Sequence, residues 1–397
     1  GNCYQIQSGS GASLTLTSTD CPTAPSVTTA SATSVATTSV QFNASSVSAN
    51  NDAITAYGFK WGTTDACSSG TVSASNLGAG TTFSASKTGL TNGTTYYYKA
   101  YATNGFGTTY GSVQSFRTKY VTTVTLDKQG GSEGTSEVTA NEGSAMPSGK
   151  TAPGKTGYTF GGYYANAGGS GTKYYNANMG SAHTWDVAAS TATIHAKWTA
   201  NTYTITYNAN GGTGTTANSS HTYDVAKALT SNGYSRTGYT FGGWATSKAN
   251  ADAGTVAYTN GQSVTNLSST QGATVTLWAI WTPKSCTVNF NFDESDEGYG
   301  SKTGATTSVT ATYGSAMTTV TPPTAKNGYA FMGYWDGADG SGTQYYKADG
   351  TSKRTWNKDT ESATTLYAYY KKAEITGITF SPAAAEPGQT VTATATI

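Results

Sequence analysis

Charged side chains are scarce in this sequence. Asp, Glu, Lys and Arg make up 11% of its 397 residues, less than half the share of about 25% found in ordinary soluble domains. The 22 basic and 21 acidic residues leave a formal net charge of +1, so the strong positive field that attracts nucleic acid or an anionic membrane surface is missing. We therefore expect neither as a partner.

Long apolar runs and a leader are missing as well. No stretch approaches the roughly 18 apolar residues of a transmembrane helix, so we expect no membrane span in this chain. Gly1 opens a polar, strand-like sequence rather than the basic and apolar regions of a signal peptide. If the protein is exported, its signal is expected upstream of this chain or has been removed.

Cysteine and histidine are too few and too scattered for a zinc site or a catalytic triad. The cysteines form no CxxC pair, and no histidine lies at ligand spacing, so zinc is not expected. No Gly-x-Ser-x-Gly turn follows an apolar strand. We predict a protein that is not an enzyme and has no resident cofactor, and we expect no catalytic role for any of the three histidines, His183, His195 and His221.

Cys3 and Cys21 flank a predicted hairpin with strands at 4–7 and 13–17. A disulfide between them would contribute about 3 kcal/mol by closing a loop of this length, and the sequence leaves open whether the bond forms. Cys67 and Cys286 are expected to be free thiols.

Glycine and tyrosine are abundant, at 48 and 28 residues. Thr and Tyr favour strands, whereas Gly and Asn favour the turns between them. A surface that hydroxyl and amide groups make soluble is typical of an extracellular protein. The composition predicts an all-β, multidomain, extracellular chain.

An internal repeat dominates the sequence. The run Gly157-Tyr-Thr-Phe-Gly-Gly-Tyr163 recurs at 238–244 and, with changes, at 328–334. Each copy begins with an alternating strand and ends in a similar closing strand, at 194–198, 277–281 and 366–370. Rings two positions apart share one face of a strand, so we expect the central aromatics to be buried and the closing aromatics to complete each core: Phe160, Phe241, Phe331, Trp198, Trp281 and Tyr370.

These copies resemble the Listeria–Bacteroides repeat, the B-repeat of internalin B type. The resemblance rests on the Gly-Tyr-Thr-Phe-Gly-Gly-Trp run at 238–244, the Asn-Ala-Asn-Gly-Gly turn at 208–212 and the Leu-x-Ala-x-Trp ending at 277–281. The third copy departs most, since it lacks the Gly-Gly turn and ends in Tyr369-Tyr370. The resemblance implies small β-grasp-like modules, in an elongated array, on secreted or surface-anchored proteins without catalytic residues.

The segment before the repeats resembles a fibronectin type III-like β-sandwich of Bacteroidetes surface proteins. Alternating strands, turns every ten or so residues and a leucine-to-tyrosine step at Leu90 and Tyr96 indicate this fold. The sequence after the repeats resembles the opening strands of an immunoglobulin-like module. The predicted segments are a tail or hairpin at 1–22, the sandwich at 23–119, repeat modules at 120–200, 201–283 and 284–371, and an incomplete module at 372–397.

Two loops could bind calcium through crowded carboxylates. The first has Asp293, Glu294, Asp296 and Glu297 where the other copies have Gly-Gly, and a solvated turn is the alternative. The second runs from Asp336 through Asp339 to Gly342. Aromatic residues could instead stack on sugar rings, although packing within modules is the favoured interpretation of these side chains: Trp185, Trp356, Tyr174, Tyr175, Tyr345 and Tyr346.

The function expected from these features is a non-catalytic segment of a large secreted cell-surface protein. It would act as a stalk or spacer and as a candidate adhesin region, with an unidentified surface ligand, glycan or protein, and further modules of the same polypeptide as partners. The alternatives are an accessory region of a secreted polysaccharide-degrading enzyme and a subunit of an extracellular filament.

Overall fold

The computed structural model describes residues 3–7, 15–19, 21–77, 82–374, 377–381 and 386–396. Strands account for 49% of the structure and helices for 2%, which confirms the predicted all-β class. The chain divides into two compact units, Gly1–Asn201 and Thr202–Ile397. Within the described ranges, no helix is long and apolar enough to cross a membrane.

The first unit opens with an antiparallel hairpin of β1 (Cys3–Gln7) and β2 (Thr15–Thr19). A disulfide joins Cys3 to Cys21, whose Cα atoms are 5.0 Å apart. The structure therefore forms the bond that the sequence left open. Cys67 and Cys286 are free and buried.

A sandwich of two sheets follows. Its strands are β3 (Ser26–Thr33), β4 (Val40–Ser48), β5 (Ala56–Gly62), β6 (Gly70–Ser73), β7 (Phe83–Lys87), β8 (Thr95–Asn104), β9 (Gly107–Tyr110) and β10 (Gln114–Arg117). One sheet has the order β3-β4-β7, and the other has the order β10-β8-β5-β6 with β9 beside β8. Alternate residues of β8 are buried, as a strand with one face on a core requires. In that core Phe42 stacks on Tyr98 at 4.6 Å between ring centroids.

The rest of the first unit is one mixed sheet. It contains β11 (Val121–Asp127), β12 (Glu137–Asn141), β13 (Tyr158–Asn166), β14 (Ser170–Tyr175) and β15 (Thr191–Ala200). The order is β12-β11-β15-β13-β14. The first and last strands, β11 and β15, are parallel at the centre, whereas the other pairs are antiparallel. The first and last strands of the segment are therefore neighbours, and the strands between them pair on the outer sides of this central pair.

The second unit begins with a similar but shorter sheet. Its elements are β16 (Thr202–Asn208), β17 (Thr213–Gly214), β18 (Ser219–Thr222), β19 (Lys227–Ala228), β20 (Tyr234–Ser235), β21 (Tyr239–Ala245), the helix α1 (Lys248–Asp252), β22 (Ser263–Val264) and β23 (Thr274–Pro283). The main sheet has the order β18-β16-β23-β21, again with the first and last strands parallel. Two short ribbons, β17-β20 and β19-β22, lie outside it.

The third repeat restores the five-stranded sheet. It contains β24 (Ser285–Asn291), β25 (Tyr299–Ser301), β26 (Ser308–Thr312), β27 (Thr324–Ala325), β28 (Tyr329–Trp335), a 3₁₀ turn (Ala338–Gly340), β29 (Gln344–Tyr346) and β30 (Thr364–Lys372). The order β26-β24-β30-β28-β29 matches that of the first repeat. The chain closes with an antiparallel hairpin of β31 (Gly377–Ser381) and β32 (Thr392–Thr396).

A β-bulge recurs inside the conserved run of all three repeats. In the first, Phe160 pairs with Trp198 and Tyr163 pairs with Ala196, so three steps on β13 match two on β15. The register shifts at the same place in the other two repeats. One extra residue in a strand reverses the alternation of faces beyond it. Two aromatic residues three positions apart therefore lie on the same face of the sheet.

Only glycine fits the second position of this bulge. Gly162, Gly243 and Gly333 have φ of 116°, 136° and 123°, a region that side chains with a Cβ rarely adopt. A Cβ at Gly162 would also lie 2.2 Å from the carbonyl oxygen of Tyr175. The first position has no such constraint, because a Cβ at Gly161 would make ordinary 3.5 Å contact with Lys197. This difference explains why the third repeat accepts methionine there and keeps glycine at the second position.

The bulge moves the centre of each core away from the phenylalanine. Phe331 is buried as expected, but Phe160 and Phe241 are only half-buried. The aromatic three residues later is 0% exposed in every repeat, at Tyr163, Trp244 and Tyr334. Its partner on the closing strand is always an alanine: Ala196, Ala279 and Ala368. The small side chain leaves room for the ring, so the alanine and the ring together fill the core.

We expect the two adjacent glycines of the first bulge to respond differently to alanine. Gly162→Ala should lower the free energy of unfolding by about 2 kcal/mol or more, because it adds a strained φ and a backbone clash. Gly161→Ala is the matched control and should be neutral or slightly stabilising. Hydrogen exchange of β13 and β14 amides in the full chain under mild urea measures both. Equal effects would contradict the assigned bulge position.

The ring at the core centre has an unpaired polar atom. Within the described residues, the hydroxyls of Tyr163 and Tyr334 and the indole N–H of Trp244 have no hydrogen-bond partner. A buried hydroxyl without a partner costs free energy. Tyr163→Phe should therefore leave stability unchanged or raise it by up to about 1 kcal/mol.

Tyr175→Phe is the control for this substitution. Tyr175 is equally buried, but its hydroxyl donates to the carbonyl oxygen of Pro147 at 2.9 Å, so the same change should cost about 1 kcal/mol. Urea unfolding of both full-length variants, followed by exchange of β13–β15 amides, gives the comparison. A loss for Tyr163→Phe as large as that for Tyr175→Phe would mean that the Tyr163 hydroxyl is bonded.

Candidate functional site

The acidic loop of the third repeat starts as a turn that all three repeats share. The backbone N–H of Asp293 donates to the side chain of Asn291 at 2.9 Å. Asn210 makes the same bond to Asn208, also at 2.9 Å, and Gln129 makes it to the residue that ends β11. All three turn residues have positive φ. Asp293 is thus first a turn residue, and its carboxylate is an addition peculiar to the third repeat.

The structure divides the predicted calcium ligands into two groups. Asp293 and Asp296 meet Asp339, which comes from the second candidate loop, and one oxygen of each lies within 4.8 Å of the others. Glu294 pairs instead with Lys302 at 2.5 Å, and Glu297 accepts a hydrogen bond from the hydroxyl of Tyr329 at 3.1 Å.

Asp336 also lies outside the cluster. Its carboxylate accepts from the backbone N–H of Thr343 at 2.6 Å and pairs with Lys358 at 3.2 Å. The sequence predicted two separate candidate calcium loops. The fold brings residues of both loops into one cluster.

The second repeat has one carboxylate where the third repeat has this cluster. There the Asn210 amide donates to the carboxylate of Asp252, the last residue of α1, at 3.2 Å. In the third repeat, Asp293 stands at the place of Asn210 and meets the carboxylate of Asp339. Three carboxylates at this spacing suit Ca²⁺ as ligands, and exposed acidic groups are also common without an ion. Calcium binding by the loop therefore stays a prediction.

The aromatic residues considered as a sugar platform are all inside the cores. Each of the six is 3% exposed or less, so no face is open to a ligand and the packing interpretation holds: Trp185, Trp356, Tyr174, Tyr175, Tyr345 and Tyr346. The indole N–H of Trp185 donates to the hydroxyl of Thr122 at 2.9 Å, which anchors the ring beneath the first strand. These residues stabilise the modules and are not a binding surface.

The second repeat fills this part of its core in another way. In place of the threonine on the first strand it has Tyr203, which pairs across the sheet with His221. The two rings stack at 5.6 Å between centroids. His221 is 1% exposed, and a stacked pair of rings takes the volume that a tryptophan takes in the other repeats.

A serine lies within hydrogen-bond distance of this histidine, but the pair is not a catalytic dyad. The Ser219 hydroxyl and His221 Nε2 are 2.9 Å apart. His221 Nδ1 has no partner among the described residues, so no carboxylate orients the imidazole as a triad requires. Burial, and then the charge of Lys227, lower the pKa of His221. The ring is a neutral core residue.

Comparison with known families supports two of the three repeats. The sequence model of the Listeria-Bacteroides repeat domain matches residues 123–194 and 203–280, two adjacent copies within the predicted modules at 120–200 and 201–283. No curated protein matches the chain.

Partial similarity to solved structures was also found. One of these structures is the sensor domain of the anti-sigma factor RsgI4 from Pseudobacteroides cellulosolvens, with 18% identity over 24% of this chain and 93% of that domain. The TM-score is 0.20, too low to support an argument about fold or function.

We expect the second repeat to lose stability in mild acid. His221 has a folded-state pKa below its usual 6.5, so the unfolded chain takes up the proton first. The stability that neutral His221 contributes is complete above about pH 6.5. It declines as the pH falls from there through the folded-state pKa. Exchange of β16 and β18 amides between about pH 7.5 and 5 measures the decline.

His221→Phe keeps a buried ring and should flatten this dependence on pH. His183→Phe, at an exposed histidine of the first repeat, should leave the dependence intact. A slope that persists in His221→Phe would assign the acid sensitivity to another group.

Proposed function

We propose that this chain is a non-catalytic segment of a secreted cell-surface protein and serves as a spacer and adhesin region. The observation that supports this most is the repetition of one sheet with its own hydrophobic core in each copy. Such modules add length to a protein without adding an active site. An extracellular location is part of this proposal, and the family that two of the copies match supports it.

The segment at 23–119 is proposed to be a fibronectin type III-like domain. Its sheets of three and four strands, with β9 beside β8, have the arrangement expected of that sandwich. Tyr96 adds a second feature, because its hydroxyl accepts from the backbone N–H of Thr91 at 3.0 Å. A tyrosine bonded to backbone a few residues upstream marks the corner before the sixth strand of such domains.

The segment at 284–371 is proposed to be a third copy of the repeat. It shares the sheet order, the bulge and the ring over alanine with the two copies that match the family. Its acidic turn and its terminal tyrosines explain why the sequence signal is weaker. Both changes lie at surface positions or replace one aromatic ring with another.

Within each unit, side-chain contacts hold adjacent modules together, as a spacer requires. At the end of the sandwich Arg117 makes two hydrogen bonds to Glu142, at 2.9 and 2.8 Å. These bonds lower the pKa of Glu142. Between the second and third repeats, the hydroxyl of Thr240 donates to the carboxylate of Glu361 at 3.1 Å. Short connections with such contacts limit bending between neighbours.

A filament subunit is the second candidate function. The hairpin β31–β32 exposes apolar side chains, with Ile378 54% exposed. Two strands alone are marginally stable in water, and their free edges can pair with another chain. An accessory region of a polysaccharide-degrading enzyme remains the third hypothesis.

Small-angle scattering of the full chain tests the spacer proposal. A compact globule of 397 residues has a radius of gyration of about 21 Å, and a spacer should give a value well above it. A value near 21 Å would overturn the proposal. A dilution series distinguishes the filament hypothesis from the spacer proposal. Only a chain that associates gives a molecular mass from scattering that depends on protein concentration.

A further inference from the structure

A cleft of about 360 Å³ lies within the second unit, between the second and third repeats. This volume is in the range of sites that bind small ligands. Its walls come from the segment around β20 and β21, the end of β23 and two residues of the third repeat. No motif in the sequence pointed to this place, because its residues are up to 125 positions apart, from Tyr234 to Asp359.

One wall is aromatic and held in place. It consists of four half-buried rings, those of Tyr234, Tyr239, Phe241 and Trp281. The indole N–H of Trp281 donates to the carbonyl oxygen of Ala209 at 2.8 Å. Phe241 lies edge-on to it at 5.8 Å between centroids. These rings therefore offer a rigid apolar surface to a ligand.

A guanidinium group without a hydrogen-bond acceptor faces the same cleft. Arg236 stacks on the ring of Tyr239, 4.0 Å from its centroid, and a Cβ at Gly211 would lie 3.7 Å from its Cζ, so the turn at Gly211 is close as well. Among the described residues, no group accepts a hydrogen bond from Arg236. The nearby carboxylate of Asp252 already accepts from Lys248 and Asn210. The planar guanidinium of Arg236 therefore has N–H donors that can bond to an acceptor on a ligand.

The equivalent residues show that this feature is particular to the second repeat. The first repeat has Lys155, which also lies over a tyrosine ring, that of Tyr158, at 4.4 Å. Its ammonium group donates to the carbonyl oxygen of Gln129 at 3.4 Å. A lysine lacks the planar fork that matches a carboxylate with two bonds.

The third repeat supplies polar groups of both signs. Lys284 and Asp359 line the cleft as an ion pair at 2.7 Å. Together they offer hydrogen-bond donors and acceptors close to the aromatic wall. The charge of the lining residues is +1, from Arg236 and Lys284 against Asp359.

We propose that this cleft binds an acidic oligosaccharide. A uronic acid carboxylate pairs with the guanidinium of Arg236, the apolar face of the sugar ring packs against Phe241 and Trp281, and ring hydroxyls bond to Lys284 and Asp359. A sugar fits better than a peptide, because hydroxyls that both donate and accept use both members of the ion pair. The site is independent of the spacer role, since a spacer needs no ligand.

Calorimetric titration of the full chain with tetragalacturonic acid tests the proposal, with a neutral galactose tetramer as the matched probe. The acidic sugar should bind, and the neutral one should bind at least about tenfold more weakly, because it lacks the charge-assisted bonds to Arg236. Arg236→Ala should lower the affinity for the acidic sugar by a similar factor. Lys155→Ala, the equivalent change in the first repeat, should leave its affinity unchanged.

Asp359→Asn provides a second measurement, since it keeps the size of the side chain and removes one acceptor charge. It should weaken binding of the neutral sugar and increase the preference for the acidic one, because it raises the charge of the lining residues to +2 and frees Lys284 from its ion pair. Circular dichroism and β21 amide exchange check that every variant is folded. No binding of the acidic sugar, equal binding of both sugars, an equal loss in Lys155→Ala, or binding only of acidic peptides would overturn the proposal. The scattering result would stand in each case.

Discussion

The packing of one aromatic ring on one alanine determines the architecture of each repeat. Tyr163, Trp244 and Tyr334 are fully buried over the alanine of the closing strand. The ring reaches that place only because a bulge adds a residue before it. The bulge in turn needs a glycine with positive φ. Glycine, ring and alanine therefore depend on one another. The alanine belongs to the closing strand, which pairs in parallel with the first strand at the centre of the sheet.

The repeats differ at positions outside this set of glycine, ring and alanine. The second repeat replaces a tryptophan with the stacked pair of Tyr203 and His221. The third replaces the Gly-Gly turn with an acidic loop and accepts Met332 at the unconstrained bulge position. Each change conserves core volume or falls on the surface, as close packing demands. The same fold can thus hold different surface chemistry in each copy.

Most aromatic residues of this protein are buried in the cores. Only the rings that are partly exposed can contribute to a binding surface. The rings furthest from the core centre, such as Phe241 and Trp281, are only half-buried. Where the third repeat adds Lys284 and Asp359, these rings become one wall of a cleft. A binding site can then arise at a junction between modules although neither module has one by itself. This is consistent with a spacer that also recognises a ligand.

Local sequence determined the all-β class of this protein and the two copies that match the family, because strand alternation and turn residues are signals of short range. It also indicated the pair of cysteines and the acidic loop. Only the tertiary structure decided which aromatics are central, since a bulge reverses the faces that simple alternation predicts and moved the core from Phe160 to Tyr163. It alone brought Asp293 and Asp339 into one cluster and placed Arg236 and Asp359 along one cleft. Those arrangements depend on the pairing of distant strands, and the register of such pairs is set by packing that no single segment contains.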